Sequence, residues 1–217
     1  MDEQVLRAMA RWPNVPAVYG WLRLDRRGGW HLIDRNQPDF DEQRHGAGSL
    51  ITSPPIIEFI QRNYTCDPKG RWYWQNGPQR VFVDLDAAPL VLRAFGEGVG
   101  VTWATHTGEP IERIDAGWIG PQGEILLRTD LGPGVVHDLD LAALALGGAE
   151  AGGDAQADGD ADRDRDRDRD RDRDDRDGDG DDEARPITLE LGDRRLELAP
   201  CAHPEEVLGF TMRPRQQ

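Results

Sequence analysis

Few residues of this sequence stand where chemistry would need them. His106, Glu109 and Asp115 share one short segment, and a histidine within reach of a carboxylate is the usual general-base pair. They are the catalytic candidates of one reading, an enzyme of unrecognised type. The plainer reading is chance proximity, because no serine elbow, phosphate loop or metal constellation accompanies them. His137 beside Asp138 reads the same way. "HTGEP", His106 to Pro110, has the form of a linker between zinc fingers, yet no Cys pair or second His lies at finger spacing. "GEGVG", Gly96 to Gly100, is not G-x-G-x-x-G and opens no helix. No metal site and no cofactor are expected.

A second candidate is the stretch "GRWYWQNGPQRVFVDL", Gly70 to Leu85, where three aromatic rings adjoin an arginine. Strand alternation puts Trp72 and Trp74 on one face and Arg71, Tyr73 and Gln75 on the other. In the next strand Val81, Val83 and Leu85 oppose Arg80, Phe82 and Asp84. The tryptophans are expected in the core under the helices. Tyr73, Arg80 and Phe82 form a cross-strand cluster that could hold a ligand or partner. Asn76-Gly77 signals a hairpin, but in a two-residue loop centred there Pro78 would have to donate the closing hydrogen bond, so a longer loop is expected.

The elements that must position these groups are mainly hairpins. "YGWLRLDRRGGWHLI" and "NYTCDPKGRWYWQ" both read strand, D-x-x-G-x-W turn, strand, with Asp25, Gly28 and Trp30 matching Asp67, Gly70 and Trp72. Asp caps the turn and the glycine takes the left-handed position of a G1 bulge. "GWIGPQGEILLR" is a looser copy that keeps Gly123. "ITLELGDRRLELA" is a further hairpin turning at Gly192-Asp193, too small to stand alone. Helices are fewer. Ser53 and Pro54 open one with a stripe of Ile56, Ile57 and Ile60; Val5, Leu6 and Met9 share a face of another that ends at Trp12 and Pro13. A third runs from Asp138 to a Gly147-Gly148 stop, and Pro204 starts a single turn. The fold class is therefore α+β and β-rich, antiparallel hairpins or a meander with about three short helices packed on the sheet.

Composition sets the frame. The 217 residues carry a formal net charge of −15, and Asp154 to Glu183, with sixteen acids against seven arginines, supplies nine of those charges. Almost devoid of apolar side chains, this tract cannot offset its ordering entropy and is expected to be a disordered insertion. Asp175, Asp177, Asp179 and Gly180 match the start of an EF-hand loop, but Pro186 stands where a bidentate Glu belongs. The organisation expected is 1–150, a β-rich α+β main region; 151–185, the acidic insertion; and 186–217, a C-terminal hairpin docking on the main region. The start "MDEQVLRAMARWP" lacks an apolar stretch, and no run approaches a membrane span. A cytoplasmic protein follows, in which Cys66 and Cys201, without metal spacing, read as buried reduced thiols.

"RAMARWPNVPAVYGWLRLD", "IIEFIQRNYTCDPKGRWYWQNGPQRVFVDLDAAPLVLR", "THTG" and the ending "LGFTMRPR" resemble a proteobacterial family known only as a domain of unknown function. The resemblance covers most of the chain outside the acidic tract and implies no activity, cofactor or site residue. What remains is a non-catalytic binding or accessory module offering a sheet face or edge to a protein or small ligand, with no nucleic acid and no membrane as partner.

Overall fold

The structure is a computed structural model and describes residues 1–96, 101–144, 146–147, 187–191 and 194–215. The acidic insertion, the Gly192-Asp193 turn and most of "GEGVG" lie outside the described residues. The strands of the described residues fall into five three-stranded antiparallel meanders. The first is β1 (Val18–Leu24), β2 (Trp30–Leu32) and β3 (Ser49–Leu50). The second is β4 (Tyr64–Cys66), β5 (Trp72–Asn76) and β6 (Gln79–Leu85). The third is β7 (Leu90–Phe95), β8 (Thr102–Thr105) and β9 (Pro110–Ile111). The fourth is β10 (Ile114–Ile119), β11 (Ile125–Thr129) and β12 (Gly132–Val136). The fifth is β13 (Leu146–Gly147), β14 (Ile187–Leu191) and β15 (Arg194–Pro200).

The meanders join by one rule: the first strand of one lies parallel to the last strand of the next. β1 pairs with β6, β7 with β12, and β10 with β15. Two mixed sheets result, six-stranded β3-β2-β1-β6-β5-β4 and nine-stranded β13-β14-β15-β10-β11-β12-β7-β8-β9. The fold is thus α+β and sheet-rich, its hairpins antiparallel and its meander-to-meander joins parallel. One cluster of buried side chains spans both sheets, including Leu22, Leu24, Val83 and Leu85 of the first and Leu92, Leu126, Leu127 and Leu189 of the second. Among the described residues no helix is long and apolar enough to cross a membrane.

The two matching hairpin turns fold identically. Asp25 Oδ1 accepts the N–H groups of Arg27 and Gly29, both at 2.8 Å, and Asp67 Oδ1 accepts those of Lys69 at 3.0 Å and Arg71 at 3.1 Å. Gly28 and Gly70 take left-handed φ of 84° and 72°. The looser copy closes the same way, Gly120 N–H to the Glu124 carbonyl at 2.8 Å, with the Glu124 carboxylate serving Gln122 N–H in place of the missing Asp. A fourth copy, Thr105 to Glu109, went unread in the sequence: Thr105 N–H meets the Glu109 carbonyl at 2.9 Å, and the Thr105 hydroxyl stands in for the carboxylate.

Several expectations need correction. The β5–β6 loop is not lengthened: Asn76 pairs with Gln79, so the two-residue turn is Gly77-Pro78. Gly77 supplies φ of 57° at the first central position, and Pro78 sits where no N–H is required. Residues Asp138–Ala143 form a 3-10 helix in place of an α-helix. The helices are α1 (Glu3–Arg11), α2 (Glu42–His45), α3 (Pro54–Arg62) and α4 (Pro204–Leu208). Val5 of α1 is buried but Leu6 is exposed, and Ser53 places no side chain on the start of α3. Both cysteines are free, Cys201 buried as expected but Cys66 exposed on an edge strand.

Candidate functional site

On the outer face of the six-stranded sheet, β1, β5 and β6 bring three rings into one row. Register pairs Tyr19 with Phe82 and Phe82 with Tyr73. The Tyr19 and Phe82 rings stack at 4.7 Å, within 5° of parallel, and Tyr73 meets Phe82 at 5.6 Å. Guanidinium groups cover this row: Arg71 lies 4.7 Å over the Phe82 ring and Arg80 lies 5.1 Å over Tyr73. Arginine stems shed water while their heads stay wet, so Tyr73 and Phe82 are buried, whereas Trp74 on the opposite face is only half-buried. Sequence alternation placed Tyr73, Arg80 and Phe82 together, and the structure does the same. It does not make the inner face the more buried one at Trp74.

Two positions along β6 from Phe82, on the same face, Asp84 is fully buried between the C-terminal arginines, 2.9 Å from Arg215 and 3.3 Å from Arg213. Both arginine side chains remain half-exposed. The C-terminal segment is fixed here by main chain as well, Leu85 N–H to the Met212 carbonyl at 2.9 Å and Thr211 N–H to that of Gly70 at 3.1 Å. Arg23, the cross-strand neighbour of Asp84, pairs with Asp86, and Arg71 is held by Asp67 at 2.7 Å. Burial pulls the Asp67 carboxyl upward, but the Arg71 guanidinium and the turn N–H groups outweigh it and hold it below the ordinary range. Arg80 has no carboxylate partner among the described residues. Tyr19, Asp84 and the two C-terminal arginines escaped the sequence reading; strand parity of Asp84 with Phe82 was the only local signal, since the arginines arrive from 129 and 131 positions away.

His106, Glu109 and Asp115 are not joined into one cluster. His106 and Glu109 share the β8–β9 turn, but Glu109 is exposed, and Asp115 lies on β10, four strands along the sheet from β8, engaged with Arg113 at 2.6 Å. His106 buttresses the fold: its ring sits beside Trp30 and Tyr64, and its Nδ1 accepts the Val91 N–H at 3.2 Å. Burial pushes its pKa down to about 4, against a small opposing pull from Asp25. His137 likewise turns its Nδ1 to the Leu139 N–H and caps the 3-10 helix.

A polar cleft of about 540 Å³ lies where the Asp25 turn meets the Gly120–Glu124 turn and the 3-10 helix. Arg26 reaches across it to Gln122 and Arg27 to Asp138. Asp25 and His31, 2.7 Å apart, have the form of a catalytic pair beside it. The second copy of the turn explains them otherwise: Asp67 gives its free oxygen to Arg71 as Asp25 gives its own to His31, so both are turn clasps. Among the described residues no group of His, Cys, Asp and Glu is arranged to hold a metal ion.

Comparison with known proteins adds no activity. No curated protein matches the chain. A crystal structure of a DUF1285 family protein from Silicibacter pomeroyi DSS-3 is similar at 18% identity and a TM-score of 0.40, over 58% of this chain and 68% of that one. Residues 1–214 match the family DUF2944, described as "Protein of unknown function (DUF2946)". From the first helix to the arginine-bearing C-terminal segment, the chain belongs to that family of unknown function.

Proposed function

We propose that the chain is a non-catalytic cytoplasmic binding module whose arginine-roofed sheet face takes an acidic segment of a partner protein. The observation that carries this reading is the local charge excess. Five guanidiniums, of Arg23, Arg71, Arg80, Arg213 and Arg215, meet three carboxylates, of Asp67, Asp84 and Asp86. Among these groups the guanidiniums outnumber the carboxylates by two, on a chain of net −15. Buried Asp84 fixes two of the arginines in place, which lowers the entropy lost when they meet an anion, and exposed Arg80 has no carboxylate partner among the described residues. Neither Arg80 nor the C-terminal arginines line the three clefts bordered by Asp25, Trp74 and Cys66. Two free cysteines support a reducing compartment.

The test is fluorescence anisotropy with a labelled octaglutamate peptide and, in parallel, a single-stranded oligonucleotide. The expected result is peptide binding that weakens with added salt and is lost in Arg80→Glu, with no tighter binding of the oligonucleotide. Unchanged peptide binding in Arg80→Glu would remove the reading, and preference for the oligonucleotide would replace it.

A further inference from the structure

On the opposite face of the same sheet, an apolar cleft opens between β1, β5, β6 and helix α3. It encloses about 440 Å³ and is walled by Trp21, Trp74, Ile56 and Ile60, with the amides of Asn76 and Gln79 its only polar side chains and no charged residue in its lining. Volume and lining are those of small-molecule sites, which run from about 300 to 1,000 Å³.

The chain departs from regular structure to build this cleft. In the β1–β6 ladder Tyr19 faces Phe82 and Leu22 faces Val83, leaving Gly20 and Trp21 as a bulge. Gly20 has φ of 73°, and a Cβ there would stand 2.8 Å from the Arg35 guanidinium. Bulges re-aim side chains, and this one turns Trp21 into the cleft wall opposite Trp74. At the mouth Ile56 and Leu32 remain 48% and 51% exposed.

We infer that this cleft binds the apolar chain of a small amphiphile, with the polar head at the Asn76 and Gln79 amides. A lining without charge gives no purchase to an ionic body, while two indoles and a wall of isoleucines gain by covering methylene groups. Gln79 already donates its amide N–H to the Pro16 carbonyl at 3.2 Å, so it is held in place at the rim.

The probe is the neutral amphiphile 10-bromodecan-1-ol below its solubility limit, since bromine quenches indole emission only at contact and a hydroxyl head suits the Asn76 and Gln79 amides. Saturable quenching is expected, no larger than the share of two of the seven tryptophans. Trp21→Phe should reduce its amplitude, and Ile56→Arg, at an exposed position, should weaken binding at least tenfold. Leu32→Arg repeats that test from the other side of the mouth should Ile56→Arg fail to fold by circular dichroism. Absence of saturable quenching, or the same affinity in the arginine variants, overturns the inference. So does light scattering that shows a wild-type dimer split by Ile56→Arg, which would make the cleft an interface between copies.

Discussion

Gly70 and Gly209 are pressed together: a Cβ built on Gly70 would lie 2.2 Å from the Gly209 carbonyl oxygen, and Gly70 itself has φ of 72°. Two demands therefore fall on one glycine, a left-handed turn and a close approach to the C-terminal segment. Gly123 occupies the same place in the third copy of the turn at φ of 80°, with nothing within 4 Å of its Cβ position. Gly123→Ala should then cost about 1 kcal/mol from backbone strain alone. Gly70→Ala should cost at least about 2–3 kcal/mol, because backbone must move. Urea denaturation of the two variants reads the difference; equal losses would mean that the C-terminal segment yields freely at Gly209.

The Asp84 network makes a second prediction. Removing a buried charge's partners costs more than either alone, since a lone carboxylate in the interior is left unpaired. Arg213→Ala and Arg215→Ala should each cost about 1 kcal/mol, and the double variant about 3–5 kcal/mol. Strictly additive values in a double-mutant cycle would show that water reaches Asp84 once either arginine leaves.

A third prediction separates the two tryptophans of β5. Trp72 is buried against Tyr64, with ring centroids 5.0 Å apart, and abuts Gly132, so Trp72→Ala should cost roughly 3–5 kcal/mol. Trp74 is half-buried, held edge-on by Phe59 at 5.8 Å and facing the apolar cleft. Trp74→Ala should cost less, about 2 kcal/mol. Arg80→Ala removes one exposed contact with the Tyr73 ring and should cost about 1 kcal/mol or less. Chemical denaturation of the three ranks them; Trp74→Ala as costly as Trp72→Ala would mean that the cleft is closed in solution.

What the sequence shows of this fold is what short-range chemistry decides. Asp25 and Asp67 announce their turns because a carboxylate bonding its own following N–H groups is local, and the cross-strand cluster of Tyr73, Arg80 and Phe82 follows from alternation. The Thr105 turn was illegible because a hydroxyl does there what the motif assigns to Asp. The parallel joins of β1 to β6 and β10 to β15 depend on partners far along the chain, and no periodicity encodes them. Alternation puts Asp84 on the face of Phe82 and no more, its burial depending on Arg213 and Arg215, and the inward role of His106 depends on Trp30 and Tyr64, from other meanders.

That histidine, its ring beside Trp30 and Tyr64, supports the last prediction. In the unfolded chain a histidine titrates near its ordinary value of about 6.5, whereas burial lowers His106 to about 4 in the fold. Between those values the unfolded state binds the proton and the folded state does not, so stability falls as pH drops through that window and is fully present above it. The loss approaches roughly 3 kcal/mol at its limit. The turn carboxylates Asp25 and Asp67, drawn upward by burial but held low by their hydrogen bonds, add their losses only at lower pH, below their ordinary range. Urea midpoints measured from pH 7 to pH 4.5 should therefore decline in wild type before the carboxylates titrate. In His106→Phe the midpoint at pH 7 should be lower, because Val91 N–H loses its acceptor, yet the decline toward pH 4.5 should flatten. An unchanged slope in that variant would assign the acid sensitivity to another group and place His106 in contact with water.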